Sequence, residues 1–292
     1  MHYKSSFSRK VFLVCNSCII ILVCVMCLFP ILHTLALSLS SASAAAAGKV
    51  FLLPVDFQLD AYKRVMEDKT FLTSFFISVK RVVLGLGVNL TMTVLAGYPL
   101  SKTKEQFPMR NFYMGLFIVT WLFWGGLIPT YLVIKWTGLI DTIWALILPG
   151  AVSANYVILL QNYFKSLPDE IYDSARVDGA GEWVILFRIF LPLAKPILAV
   201  LVVYIVVAHW NSWFDGMLYM NDASNYPLQT YLQTIIVEID PKEVFNVKQV
   251  MNVNTRNMKA AQIFVAMVPV LCVYPFAQKH FVKGIVMGSV KG

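Results

Sequence analysis

The sequence predicts an all-α, polytopic membrane protein with six transmembrane helices, on three observations. Of its 292 residues, 58% are hydrophobic and only 14% charged, where a soluble domain carries about 25% charged residues. Apolar runs near the length that a bilayer requires, about 20 residues, recur along the chain. The basic residues behind the net charge of +8 lie mostly at the ends of those runs, where they anchor and orient helices. No basic stripe is interleaved with aromatics in a polar domain, which excludes a nucleic-acid partner.

The first span covers residues 11–37, after a short basic start with Lys4, Arg9 and Lys10. The stretch after it, SASAAAAGKV, suits a signal-peptidase site. A signal core has about 7–15 apolar residues, and this run is longer, so the span is read as retained, with Pro30 kinking it. Cys15-x-x-Cys18 and Cys24-x-x-Cys27 mimic a metal pattern. At about 100° per residue the two pairs face opposite sides of one helix and cannot converge on one ion. Residues 38–70 form an external loop with an amphipathic piece near 60–68. The second span is 82–100, with Lys80 and Arg81 reaching for water at the outer interface. Residues 101–110 are a basic inner loop holding Lys102, Lys104 and Arg110.

The third span, 112–134, carries Gly125, Gly126 and Pro129, residues that mark close packing or a kink. The fourth is 142–160, the fifth 189–210 and the sixth 260–278, with a long polar outer segment at 211–259. Both termini and the loop between spans four and five are then inside, in agreement with the basic N-terminus, inner loop and tail. Residues 1–292 read as a single transmembrane domain.

The loop at 166–188 and its continuation to Pro196 carry the most information. Ser166, Pro168, Asp169 and Glu170 make a helix start, with Ser166 as cap and the carboxylates at the positive end of the helix dipole. Ile171, Ala175 and Val177 give that helix an apolar side, and Gly179 stops it by taking positive φ. Trp183, Leu186, Phe187 and Phe190 follow at helical spacing.

This stretch resembles the signature loop of ATP-binding-cassette importer permeases, which reads Glu-Ala-Ala, three residues, Gly, nine residues, Ile, one residue, Leu-Pro. Here it reads Asp173-Ser174-Ala175, three residues, Gly179, nine residues, Ile189, Phe190, Leu191-Pro192. Asp173 and Ser174 depart from the family pattern, keeping charge and size respectively. The resemblance implies that the loop forms coupling helices docking into a cytoplasmic ATPase, with Asp173, Ser174, Ala175, Asp178, Gly179, Ala180, Ile189, Leu191 and Pro192 as the coupling residues. Ala96–Ser101, Gly126–Tyr131, Leu160–Phe164 and Tyr226–Gln229 are similar to carbohydrate-importer permeases, of the kind represented by the maltose system's shorter subunit. The tail from Tyr274 to Gly284 resembles the branch for complex or acidic oligosaccharides such as polyuronide or alginate fragments.

The resemblance implies a permease in the bacterial cytoplasmic membrane. Its partners are a second permease, two cytoplasmic ATPase subunits, an extracytoplasmic solute-binding protein, the oligosaccharide and membrane lipid. No cofactor belongs to the chain. No G-x-x-x-x-G-K-[ST] phosphate loop is present, so ATP and Mg are expected on the ATPase subunits and the permease itself is not an enzyme. Asn155, Tyr156 and Tyr163, with Trp210, Asn211 and Trp213, have the aromatic faces and amides that suit a sugar pathway. Interfacial belts of Trp and Tyr use the same residues, and in the maltose system the membrane sugar site lies on the partner permease. Two alternatives have weaker support. An ion-coupled secondary transporter would carry carboxylates in mid-membrane, and the six runs hold none. A membrane enzyme would cluster its His, Asp, Glu or Cys, and the four His stand at 2, 33, 209 and 280 in separate regions.

Overall fold

The computed structural model of the chain describes the backbone of residues 7–123, 125–237 and 255–288, and their side chains except at 237, 255, 274 and 276–288. Among the described residues the regular structure is helical throughout. Helices α1 (Phe7–Ser38) and α4 (Lys69–Ser101) are each long and apolar enough to cross a membrane, and so is Arg256–Val273 within α14 (Thr255–Gly288). Three bent pairs bring the number of crossings to six if each is one span. The expectations for Lys4, for residues 238–254 of the outer segment and for the side chains of the Tyr274–Gly284 tail lie outside the described residues, Pro275 excepted.

The chain divides into two compact units. In the first, residues 1–72 and 235–267, α1 runs through Pro30 as one element rather than ending there. Its apolar residues from Phe7 to Leu32 are exposed on every side, as a lipid-facing helix requires. Only its last turns are covered: Ala36 packs with Ala44 and Val50. Ser38 Oγ meets Tyr62 Oη at 2.8 Å on α3 (Asp60–Glu67), and Asn257 Nδ2 donates to the Ser40 carbonyl at 3.2 Å.

The second unit, residues 73–234 and 268–292, holds the candidate site. Helix α4 begins where the Asp68 carboxylate accepts from the backbone N–H groups of Thr70 and Phe71, at 3.0 and 3.2 Å, an N-cap in its ordinary geometry. It therefore starts well before the expected boundary at 82. Arg81 is a correction: instead of reaching for water it is 2% exposed. Its guanidinium grips the Asp215 carboxylate with both Nη atoms. It also donates to the carbonyls of Ser212 and Leu146, each at 3.3 Å. A buried charge is stable when it is both paired and hydrogen-bonded, and Asp215 supplies the pairing from far along the chain.

The outer segment expected after span five is helical over much of its described first part. Helices α12 (Phe214–Tyr219) and α13 (Leu228–Val237) occupy it. The Leu228 N–H donates to Ser78 Oγ at 2.7 Å and Thr230 Oγ1 to the Trp213 carbonyl at 2.7 Å. The other runs are broken rather than straight. Span three is α5 (Arg110–Leu122) and α6 (Leu127–Trp136), with Gly126 before α6 at φ +90°. Span four is two 3₁₀ turns, Ile143–Leu146 and Leu148–Gly150, bent by 49° from α7 (Ala154–Lys165). The segment Glu182–Leu193 meets α11 (Lys195–Asn211) at 81°, turning at Ala194, which is fully buried.

Candidate coupling site

The signature loop opens with helix α8 (Asp169–Val177). Ser166 does not cap it. Its hydroxyl donates backward to the Tyr163 carbonyl at 2.7 Å, and Ser166 closes α7 instead. Pro168 stands at the cap position, where its missing N–H costs nothing, with Asp169 and Glu170 in the first turn.

The end of α8 is a two-bond cap. The Ala180 N–H donates to the Ala175 carbonyl at 2.9 Å and the Gly179 N–H to the Arg176 carbonyl at 3.1 Å. This is the Schellman pairing, which needs a left-handed residue next to the helix end, and Gly179 has φ +78°. Ala175 is buried and Ala180 packs against the same core cluster. Asp173, Ser174 and Asp178 are exposed. Beyond the cap, residues Ile185–Phe190 wind as a π-helix, a wide turn that marks functional segments. It leads into Pro192, which lacks the N–H for an ordinary helical bond and crowds the carbonyl four residues back. Ile189 and Leu191 pack against the core of Tyr98, Phe164, Ile185, Leu186 and Phe190, while Pro192 is exposed.

The loop has two faces. Its inner face is that core, where Tyr98, Phe164 and Phe190 meet edge-on or tilted with centroids 5.4–6.1 Å apart. Its outer face shows apolar side chains to solvent: Val177 is 87% exposed, Trp183 65% and Phe187 55%. The Trp183 and Phe187 rings stack at 5.9 Å. These exposed apolar side chains share the loop with the exposed charged residues Asp173, Arg176 and Asp178.

Between the faces lies a polar knot that the sequence reading left out. The Glu182 carboxylate accepts from Tyr98 Oη at 2.7 Å and from Tyr172 Oη at 2.6 Å. Arg176 Nη1 and Lys102 Nζ each stand 3.8 Å from it. The Lys102 ammonium lies 3.5 Å from the Tyr172 ring centroid, 4.2 Å from Tyr98 and 4.9 Å from Phe190. A desolvated cation over an aromatic face is worth about 2 kcal/mol. Burial pushes the Lys102 amine down to about 8; Glu182 opposes that shift and Arg176 adds to it. Burial also pushes the Tyr172 phenol up to about 12, helped by its bond to Glu182. Burial would raise the Glu182 carboxyl, but the two tyrosine hydroxyls and the two cations outweigh it and hold it below the ordinary carboxylate range.

Two cavities adjoin the knot. One of about 380 Å³ is lined by Lys102, Lys104, Arg110, Lys165, Asp169 and Tyr172. The other, about 300 Å³, is walled by Tyr98, Phe107, Glu182 and Trp183. The signal that could have exposed the knot is the spacing Tyr98-x-x-x-Lys102, one helical turn across the end of α4.

The suggested sugar-pathway residues have separate neighbours. Asn155 is exposed on the first turn of α7, and Tyr156 stacks on Tyr204 at 6.5 Å. Tyr163 Oη donates to the Leu193 carbonyl at 3.0 Å. Trp210 is 4% exposed and meets Phe75 edge-on. Asn211 and Trp213 remain exposed.

A family model described as "Binding-protein-dependent transport system inner membrane component" matches residues 90–286. The sequence is similar to Protein LplC of Bacillus subtilis (strain 168), with 40% identity over 285 residues, covering 97% of this chain and 96% of that protein. It is 37% identical over 271 residues to the polygalacturonan/rhamnogalacturonan transport system permease protein YtcP of the same organism, covering 91% of this chain and 93% of that one. The fold is similar to a chain in the crystal structure of a bacterial ABC transporter involved in the import of the acidic polysaccharide alginate. There the TM-score is 0.87 and the identity 32%, covering 96% of this chain and 99% of that chain.

Proposed function

Because this chain belongs to the family of binding-protein-dependent transport system inner membrane components, we propose that it is one of two permease subunits lining the path of an ATP-driven oligosaccharide importer. Residues 1–292 act as one permease domain, and the partners are a second six-span permease, two ATPase subunits on the cytoplasmic side and a solute-binding protein outside. Both termini and the 166–188 loop lie in the cytoplasm. ATP and Mg belong to the ATPase subunits.

One observation carries the reading: a short helix closed by a Schellman cap at Gly179, seated on a buried aromatic core and presenting Val177, Trp183 and Phe187 outward. A lever must be rigid on its inner side and sticky on its outer side, and this loop is both. Nucleotide-driven closure of the ATPases then biases a two-state permease pair through the loop. The proposed cargo is an acidic oligosaccharide. The relative named for polygalacturonan and rhamnogalacturonan transport and the fold neighbour from an alginate importer both support that class.

The test is reconstitution. The isolated chain should hydrolyse no ATP. Co-assembled with its ATPase and partner permease in proteoliposomes, it should support hydrolysis stimulated by loaded binding protein, with uptake of labelled oligogalacturonate or alginate fragments. Robust hydrolysis by the chain alone, or uptake independent of ATP, refutes the reading.

A further inference from the structure

Lys102 stands one residue beyond α4, yet it is 9% exposed. Its stem turns back so that the ammonium sits among three rings from three parts of the chain: Tyr98 of α4, Tyr172 of α8 and Phe190 at the end of the π turn. Among the described residues the Nζ atom makes no hydrogen bond, and Glu182 Oε2, at 3.8 Å, is an ion-pair partner beyond hydrogen-bond reach. Ring faces and the adjacent Glu182 charge therefore hold the cation. Every wall of this cage except Tyr98 belongs to the signature loop. Glu182 reinforces it by bonding both Tyr98 and Tyr172.

The geometry points to Lys102 as a positioning residue for energy coupling: its charged ammonium clamps the signature loop, through Tyr172, Glu182 and Phe190, to the end of helix α4, so that a push on the loop is delivered to α4. The inference rests on the coupling reading above and adds the element that receives the push. In this role Lys102 acts through the loop rather than on nucleotide or sugar.

The clamp needs the proton, because a neutral amine keeps neither the attraction of the ring faces nor that of Glu182. Glu182, Arg176, Tyr98 and Tyr172 face the ammonium, and Lys104, Arg110, Lys165 and Asp169 line the adjoining cavity. With Lys102 brought down to about 8, the clamped form prevails below that pH and is lost as pH rises through it. Glu182, held low, and Tyr172, at about 12, do not titrate in that window. One pH unit above the midpoint, roughly one lysine in ten keeps its charge.

The experiment uses the full reconstituted complex with its ATPase, partner permease and binding protein, between pH 6.5 and 9.5. Hydrogen exchange of residues 169–190, corrected for intrinsic rates, reads the clamp without reference to substrate. Labelled oligogalacturonate uptake per ATP reads coupling. Exchange should accelerate about tenfold in the wild type from pH 7 to 9, with a midpoint near 8, and uptake per ATP should fall over the same range. Lys102→Met should show fast exchange and low coupling throughout, with no step. Glu182→Gln removes the charge that supports the ammonium and should shift the midpoint to lower pH; this readout stands even if Lys102→Met assembles poorly. Wild-type exchange in Lys102→Met at pH 7, or a midpoint unmoved by Glu182→Gln, overturns the proposal. Gly179→Leu is run alongside: if it couples normally, the coupling reading itself has failed, whereas if only the Lys102 variants couple normally, the clamp alone has failed.

Discussion

Substituting Gly179 separates backbone strain from docking contact. The residue has φ +78°, where a side chain costs about 1–2 kcal/mol. A Cβ added there would meet nothing within 4 Å among the described residues, so no clash with them adds to that cost. Set against a typical folding stability of about 5–15 kcal/mol, the strain leaves the subunit folded. It would weaken the native loop end by a factor of about 5–30. Asparagine tolerates the left-handed region, alanine does not, and leucine adds bulk beside Val177, which is 87% exposed. If the loop docks on the ATPase, uptake in proteoliposomes should fall in the order Gly, Asn, Ala, Leu. Gly179→Leu should abolish transport and leave any residual ATP turnover uncoupled, while the subunit still inserts. Uptake and ATP turnover are measured on the same complexes, with subunit content quantified. Wild-type uptake by Gly179→Leu refutes the coupling role, and equal losses in Ala and Leu would mean that strain alone matters and nothing docks there.

Removing Asp215 leaves the Arg81 charge buried and unpaired, a loss of about 3–5 kcal/mol, and removing Arg81 leaves the partly buried Asp215 carboxylate unpaired. Arg81→Met or Asp215→Asn should therefore destabilise the detergent-purified subunit, and the double variant should recover much of the loss; additive losses would show that the pair is not the relevant interaction. Gly85 lies so close to the His209 ring that a Cβ would collide with it, so Gly85→Ala should lower thermal stability and His209→Ala should restore it; an unchanged melting profile for Gly85→Ala would disprove the contact. The first span should be retained, because its final turns pack at Ala36 and bond Tyr62 through Ser38; intact-mass analysis should show residues 11–37 present, and a mature start near Gly48 would refute this.

The features legible in the sequence were those set by local physics. Apolar runs marked α1, α4 and α14 because a bilayer demands length, and Gly179 marked the end of α8 because few other residues accept its φ. What failed depended on partners remote in sequence. Lys80-Arg81 read as an interruption because nothing near it predicts Asp215, 134 residues away. Ser166 read as a helix start because the same hydroxyl can serve the helix before it or the one after it. Gly125, Gly126 and Pro129 announced a weak point in span three, but composition does not specify how far a helix turns there. Lys102 looked like a flanking charge because two of its three aromatic walls arrive from beyond residue 170.

Both polar knots of the second unit are tied to α4, one within the helix and one just past its end. Arg81 holds Asp215 near one end of the apolar stretch of α4, and Lys102 holds the signature loop just past the other. Twenty-one positions along the chain separate Arg81 from Lys102, about 31 Å at a helical rise of 1.5 Å per residue, close to the roughly 30 Å thickness of the hydrocarbon core. Charges are least costly at those two depths and most costly between them, which suits two ionic contacts at this spacing. The same placement has a mechanical consequence. A hydrogen-bonded helix transmits a displacement along its axis better than the broken spans beside it, which bend by 49° and 81°. A movement imposed on the signature loop would thus reach the Arg81–Asp215 end through α4 with less loss than through either bent neighbour.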